Sequence, residues 1–301
     1  MEGEQASVPT VTVVLPAFNE SSCIVPEMQR ICDSLDRSDL SYELLVINDG
    51  STDDTADLVN EFAERHECVR AVHFRRNGGA GTARRIGTQQ ARGDIVVWTD
   101  ADMTYPNDEI PALVSYLLEN DDVDQVVGAR TSEEGRYRLL RVPAKWFVRR
   151  IAEALSGTRI PDLNSGFRAF HRQIALPYLR LLPPGFSCVT TITLAFLLNQ
   201  HTVEYVPISY AARSGRSKFH PFKDAYRYML QVLRMIMYFN PLKLLMPVAL
   251  GTLGIGVLKV GYDLIVHDGR ITGSTLLIFL IGMQIGALAL IADLVVRSRD
   301  V

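Results

Sequence analysis

Asp100-Ala101-Asp102 sets two carboxylates at i and i+2, directly after the apolar run 95–99. Like charges this close repel each other unless a cation lies between them. Oxygen donors suit a divalent ion whose shell is completed by phosphate oxygens and water. A single D-x-D is a common pattern, so its weight comes from its companions. Leu15-Pro16-Ala17-Phe18-Asn19-Glu20 and Asn48-Asp49-Gly50-Ser51-Thr52-Asp53 each close a β-branched apolar run with polar and turn residues. Asp49 can accept hydrogen bonds from a base or ribose; equally, Asp49-Gly50 can be a plain turn, with Thr52 or Asp53 capping a helix. Asn77-Gly78-Gly79-Ala80-Gly81 opens a helical stretch carrying Arg84 and Arg85. Glycines before a helix N-terminus allow close backbone approach to a diphosphate, and arginines add charge. The segment lacks both the G-K-[ST] ending of a P-loop and the G-x-G-x-x-G spacing of a dinucleotide fingerprint.

Positioning these groups requires a sheet. Strands are expected at 11–15, 43–47, 69–74, 95–99 and 123–127, with amphipathic helices between them at 24–35, 55–65, 82–91 and 110–119. Such alternation indicates βαβ units and a mostly parallel sheet. Right-handed crossovers place ligands at the carboxyl ends of the strands, where all these motifs fall.

The last sixty residues are of another kind. Residues 244–258 carry no charge, and apolar character continues past Lys259 to Tyr262. From Ile271 to Ala292 there are 22 consecutive uncharged residues, enough as a helix to cross a bilayer core of about 30 Å. Lys259 must then snorkel or face a partner. Gly282 and Gly286 form a G-x-x-x-G that permits close approach of the two helices or of two subunits, so a homo-oligomer is allowed. Seven Lys/Arg and one acid, Asp224, lie between Arg213 and Lys243, and Arg297 and Arg299 follow the second span. The positive-inside rule puts the large domain and the C-terminus in the cytoplasm. Residues 222–239 form a basic amphipathic pattern suited to the membrane interface.

The whole-chain averages hide this division. With 301 residues, 48 % hydrophobic, 22 % charged and a net charge of −3, the chain is not disordered, collagenous or a small disulfide scaffold. The net charge gives no case for nucleic-acid binding. A mean hydropathy of +0.09 averages a charged α/β domain and two apolar spans. Cys23, Cys32, Cys68 and Cys188 show neither C-x-x-C nor zinc-ligand spacing, as expected of reduced thiols in a cytosolic domain. Residues 1–9 are polar and acidic, without a secretory-signal pattern.

In order, P-A-F-N-E, N-D-G-S-T-D-D-T, N-x-G-x-G-x-x-x-R-x-G and D-A-D resemble the family-2 glycosyltransferases of the GT-A fold. The later I-P-D-L-N-S-G-F-R-A-F (160–170), R-S-G-R-S-K-F (213–219) and the two spans are similar to the polyprenyl-phosphate glycosyltransferases, dolichyl and undecaprenyl. The resemblance implies an α/β, Rossmann-like GT-A domain (1–215), a basic interfacial helix (216–241) and a two-helix transmembrane region (242–301). It implies inverting transfer from a nucleotide-diphospho-sugar to a polyprenyl phosphate, at the cytoplasmic face of a bacterial or archaeal plasma membrane. Pro16, Ala17, Asn19, Glu20 and Asp49 would hold the nucleotide, with Arg85 near its phosphates. Asp100 and Asp102 would carry Mg²⁺ or Mn²⁺. Asp162 falls where the family places a base or an acceptor-orienting carboxylate. Arg168, Arg213, Ser217 and Lys218 match positions that face phosphate groups. Two departures stand out: Ala80 where many relatives have lysine, and Thr104 where many have glutamine as a third metal contact. The alternatives are a processive polysaccharide synthase and a membrane-anchored nucleotide-sugar-binding protein without turnover. Gln231-Val-Leu-Arg234-Met approaches the synthase motif Q-x-x-R-W but lacks its tryptophan.

Overall fold

The computed structural model describes residues 8–131, 149–150, 153, 157–185, 187–211, 230, 233–234, 236–267 and 270–298. Two compact units divide the chain, Met1–Met229 and Leu230–Val301.

The first unit is built on a seven-stranded sheet. Its strands are β1 (Val11–Ala17), β2 (Tyr42–Asn48), β3 (Val69–His73), β4 (Ile95–Trp98), β5 (Gln125–Arg130), β6 (Arg168–His171) and β7 (Val203–Ile208), ordered β3-β2-β1-β4-β6-β5-β7. β1, β2 and β4 are rich in Val, Ile and Leu and buried almost throughout, as a sheet covered on both faces requires. The helices α1 (Ile24–Asp36), α2 (Thr55–Arg65), α3 (Ala80–Gln90) and α4 (Ile110–Glu119) form the crossovers. α1 buries Ile24, Met28, Ile31 and Leu35, the 3.6-residue stripe of an amphipathic helix against the sheet.

The expected parallel β/α alternation is present from 11 to 130, with shifted edges. β5 begins and ends later than the 123–127 expectation, because it pairs with β7 from Gln125↔Val203 through Arg130↔Ile208. β6, β7 and the helix α5 (Cys188–Leu198) were not among the sequence expectations. β6 runs antiparallel to both neighbours, β4 and β5. The α5 sequence, C-V-T-T-I-T-L-A-F-L-L, is β-branched and uniformly buried, so it has no helical periodicity to see.

Register decides what meets at the carboxyl edge. β1 pairs with β2 through Ala17↔Asn48, and with β4 through Val14↔Trp98. The strand order reverses at β1/β4, the position where open α/β sheets bind ligands.

The second unit contains α6 (Pro241–Val266) and α7 (Gly273–Arg297), both long and apolar enough to cross a membrane. Only 11 % and 17 % of their most apolar windows are buried, unlike core helices of a soluble protein. α6 and α7 pack on each other through the glycine motif: a Cβ on Gly282 would lie 2.8 Å from the Leu253 side chain, and one on Gly286 3.7 Å from Ala249. Lys259 has its partner within the hairpin, donating to Asp263 at 3.2 Å. Asp263 is fully buried and also accepts from the Thr272 amide (2.9 Å), Thr272 Oγ1 (2.7 Å) and Thr275 Oγ1 (2.6 Å). This network ties the end of α6 to the start of α7. Most of the expected amphipathic helix at 222–239 lies outside the described residues; 236–239 are helical.

Candidate active site

The loops after β1 and β2 are laced together. Asn19 Oδ1 accepts from the Thr52 amide at 2.8 Å, and the Asn19 amide donates to Ser51 Oγ at 3.0 Å. The Glu20 amide donates to Thr55 Oγ1 (3.0 Å), and that of Ser21 to Asp53 Oδ2 (3.2 Å). Burial pushes the Asp53 carboxyl up, but hydrogen bonds from Thr55 and Ser21 outweigh it and hold the group below its ordinary range. Asn19 is exposed with φ +55°, a left-handed conformation that asparagine tolerates better than most residues. Pro16 and Glu20 are half-buried beside it and Ala17 is buried, so the residues expected to hold a nucleotide lie together at the carboxyl edge of β1.

Asp49, expected at the nucleotide, faces the glycine segment. Its two carboxylate oxygens accept from the amides of Gly78 and Gly79, both at 2.7 Å, and the residue is 3 % exposed. Asp49 therefore braces the glycine segment. That segment is itself packed against protein: the Gly81 amide donates to Pro184 O at 2.8 Å, and a Cβ on Gly81 would overlap Pro183 O. Close approach is needed here, but to the 183–185 loop.

Asp100 and Asp102 leave β4 at the crevice. Asp100, its side chain 28 % exposed, pairs with the wholly buried Arg84, whose Nη2 donates to Oδ1 at 2.6 Å. Arg84 in turn lies over the Trp98 ring, 5.6 Å from its centroid. Arg85, the arginine expected near the phosphates, is half-buried on α3 and has no ion-pair partner among the described residues. Asp102 Oδ1 accepts from Thr104 Oγ1 at 2.5 Å and from its amide at 3.3 Å. Thr104 thus orients Asp102 from the position where many relatives carry glutamine. Among the described residues no group of three or more His, Cys, Asp or Glu side chains gathers to hold a metal. Two carboxylates alone fit a hard divalent cation that takes its remaining ligands from phosphate and water.

Asp162 lies in the segment that leads into β6. Arg130 at the end of β5 grips it with both arms, Nε to Oδ2 at 2.7 Å and Nη2 to Oδ1 at 3.0 Å. The Asn164 amide adds a bond to Oδ1 at 2.9 Å. Burial pushes the Asp162 carboxyl up, but the hydrogen bonds and charge of Arg130 outweigh it and hold the group below its ordinary value. The Arg130 guanidinium lies over the Tyr210 ring at 5.2 Å, and Tyr210 meets Tyr105 edge to face, centroids 5.2 Å apart. The Tyr105 hydroxyl accepts from the Gly166 amide at 2.7 Å. Arg130 and Tyr105 were not among the sequence expectations, and Arg84, expected with Arg85 to add charge for a diphosphate, pairs with Asp100 instead. Arg130 follows an ordinary strand, and nothing in V-V-G-A-R marks its partner 32 residues away.

Arg168 is a correction. The phosphate-facing position expected of it is a core position, 0 % exposed. Its guanidinium donates to Val189 O (3.0 Å), Thr193 Oγ1 (2.7 Å) and Ser165 O. Burial, with the nearby Arg84 charge, brings its pKa down to about 10. The family motif I-P-D-L-N-S-G-F-R suggested the site, but Arg168 opens β6 and pairs with Trp98 and Val127, which turns it inward. Arg213, Ser217 and Lys218 lie outside the described residues.

A seven-stranded mixed sheet with paired carboxylates at the strand-order reversal defines a GT-A-type domain. The glycosyl transferase family 2 model matches residues 12–176, more than half the chain, and the GtrB C-terminal hairpin model matches 240–297. The chain belongs to glycosyl transferase family 2. It is 31 % identical over 255 residues to an undecaprenyl-phosphate 4-deoxy-4-formamido-L-arabinose transferase of Pseudomonas fluorescens, covering 82 % of this chain and 71 % of that one. A dolichyl-phosphate beta-glucosyltransferase of Trichomonas vaginalis is 31 % identical over 54 % of this chain and 52 % of its own length. The corresponding Serratia proteamaculans arabinose transferase is 32 % identical over 54 % and 49 %. The chain thus spans about half the length of these last two relatives. The fold matches a crystal structure of glucosyl-3-phosphoglycerate synthase from Mycobacterium tuberculosis with Mn²⁺, UDP and glucosyl-3-phosphoglycerate (TM-score 0.55, 24 % identity, 76 % of this chain and 79 % of that one).

Proposed function

We propose that this protein transfers a sugar, with inversion, from a nucleotide-diphospho-sugar to a polyprenyl phosphate at the cytoplasmic face of a membrane. The supporting observation is the conjunction, in one chain, of a family-2 domain presenting Asp100 and Asp102 at its crevice and a hairpin of two apolar helices. The relatives' names carry the same acceptor class, dolichyl or undecaprenyl phosphate, with different sugars.

In this reading Pro16, Ala17, Asn19 and Glu20 seat the nucleotide at the β1 edge. Asp100 and Asp102 would hold Mg²⁺ or Mn²⁺, which when bound would supply charge stabilisation to the departing nucleotide diphosphate. An acceptor phosphate oxygen forms the new bond to the anomeric carbon while the bond to the donor's diphosphate oxygen breaks. That oxygen is already anionic near neutral pH, so no strong base is required. Asp162, held ionised by Arg130, suits an orienting and charge-balancing role better than proton removal. Arg130 presents the cation beside it, and Arg85, Arg213, Ser217 and Lys218 supply further contacts to phosphate. The domain division at 215 and 241 belongs to the same proposal.

The test is transfer from labelled nucleotide sugars to undecaprenyl phosphate by the full chain in bilayers, with and without EDTA. Lipid-linked label that EDTA abolishes is the expected result. Donor binding without turnover, across a panel of UDP- and GDP-sugars, would replace the proposal with a nucleotide-sugar-binding role.

A further inference from the structure

Behind the D-A-D turn lies a polar chain that the mechanism above does not use. Thr99, the residue before Asp100, is fully buried and its Oγ1 donates to Asn107 Oδ1 at 2.5 Å. Asn107, also fully buried, donates through Nδ2 to Glu27 Oε1 on α1. Glu27 is 0 % exposed, and its second oxygen, Oε2, has no hydrogen-bond partner among the described residues. Two more residues of the same helix hold the same loop: Arg30 Nη1 donates to Tyr105 O at 3.1 Å and pairs with Asp108, and Ser34 Oγ donates to Asn107 O at 3.3 Å. Glu27, Arg30 and Ser34 are spaced i, i+3 and i+7, one face of α1.

α1 also begins where the nucleotide loop ends. The amides of Cys23 and Ile24 both donate to Glu20 O at 2.9 Å, so its first turn grows directly out of P-A-F-N-E. A rigid helix therefore carries the nucleotide loop at its N-terminus and, one turn on, the strut to the carboxylates. An acid is a costly residue for a purely apolar packing role, since burial without full hydrogen bonding disfavours it. Burial pushes the Glu27 carboxyl up, although its bond from Asn107 and the charge of Arg30 oppose this.

We propose that Glu27, Asn107 and Thr99 are positioning residues that set the Asp100–Asp102 turn in register with the nucleotide loop, and so govern divalent-cation affinity. This rests on the metal assignment given under the proposed function. Groups that orient metal ligands typically carry 10- to 100-fold in affinity.

The test is Mn²⁺ binding by the full chain in detergent, read from the EPR signal of free Mn²⁺, with UDP and separately with GDP. Thr99→Val and Glu27→Met should each weaken Mn²⁺ binding roughly 10-fold. Thr99→Ser restores the hydroxyl and Glu27→Gln keeps an acceptor for Asn107, so both should bind as wild type. If the first two variants do not fold, Asn107→Asp reads the same link: it replaces only the Nδ2 donor, and the same weakening is expected. Folded Thr99→Val and Glu27→Met proteins with unchanged Mn²⁺ affinity would overturn the strut, even if their melting temperatures fall. A wild-type chain that binds no Mn²⁺ with either nucleotide would overturn the metal assignment, and the strut with it.

Discussion

Arg130 and Asp162 form a two-armed ion pair, with bonds of 2.7 and 3.0 Å between side chains only 14 % and 10 % exposed. Asp162 is the residue that sequence motifs nominate for catalysis, and its partner is the end of a strand 32 residues earlier. Removing one member of such a pair leaves the other charge buried and unpaired. Arg130→Ala should therefore destabilise the domain by about 3 kcal/mol, and Arg130→Lys should keep the charge but lose the fork. Denaturant titration of both variants checks the order, with Lys the milder. Equal stability of Arg130→Ala and wild type would refute the pairing.

Two carboxyls, those of Asp162 and Glu27, act in opposite directions with pH. The Asp162 carboxyl is depressed, so its contribution is present above the ordinary carboxylate range and is lost as pH falls through its lowered value. The Glu27 carboxyl is raised, so its contribution is present at low pH and is lost as pH rises through its elevated value. Melting temperatures between about pH 3 and 8 should show a shallower acid-side loss for Asp162→Asn than for wild type. Glu27→Gln should show a smaller decline on the rising-pH side. Parallel profiles for all three proteins would remove both assignments.

Asp102→Asn should abolish transfer and Mn²⁺ binding while leaving membrane insertion intact. Thr104 can still donate its hydroxyl to the amide oxygen, so the turn itself should survive. Flotation with liposomes separates insertion from catalysis. Retained activity would contradict the metal assignment.

Arg168→Met distinguishes a core residue from a phosphate contact. With its guanidinium spent on Val189, Thr193 and Ser165, the variant should lose melting temperature and expression. A stable variant with only a raised donor KM would restore the phosphate-facing role.

Gly282→Val should push α6 and α7 apart, because its Cβ would meet Leu253 at 2.8 Å. The cost expected of overpacking is about 1–3 kcal/mol. Leu253→Ala in the same chain should recover part of it, as a double-mutant cycle in detergent can measure.

The order of elements through the first 130 residues is legible because strand and crossover helix have different hydrophobic periods. The two apolar helices are legible because residues 244–258 and 271–292 carry no charge. The ordered motifs also point to the family and nominate Asn19, Glu20, Asp100, Asp102 and Asp162 for the site. Tertiary structure alone decided what each polar group faces. Asp49 turned to the glycine segment, Arg84 rather than Arg85 took Asp100, Arg168 went inward on an antiparallel strand, and Arg130 closed on Asp162. Local sequence carries periodicity and turn chemistry, whereas a charge finds its partner through strand register and crossovers joining residues 16 to 32 positions apart. No local pattern encodes that pairing.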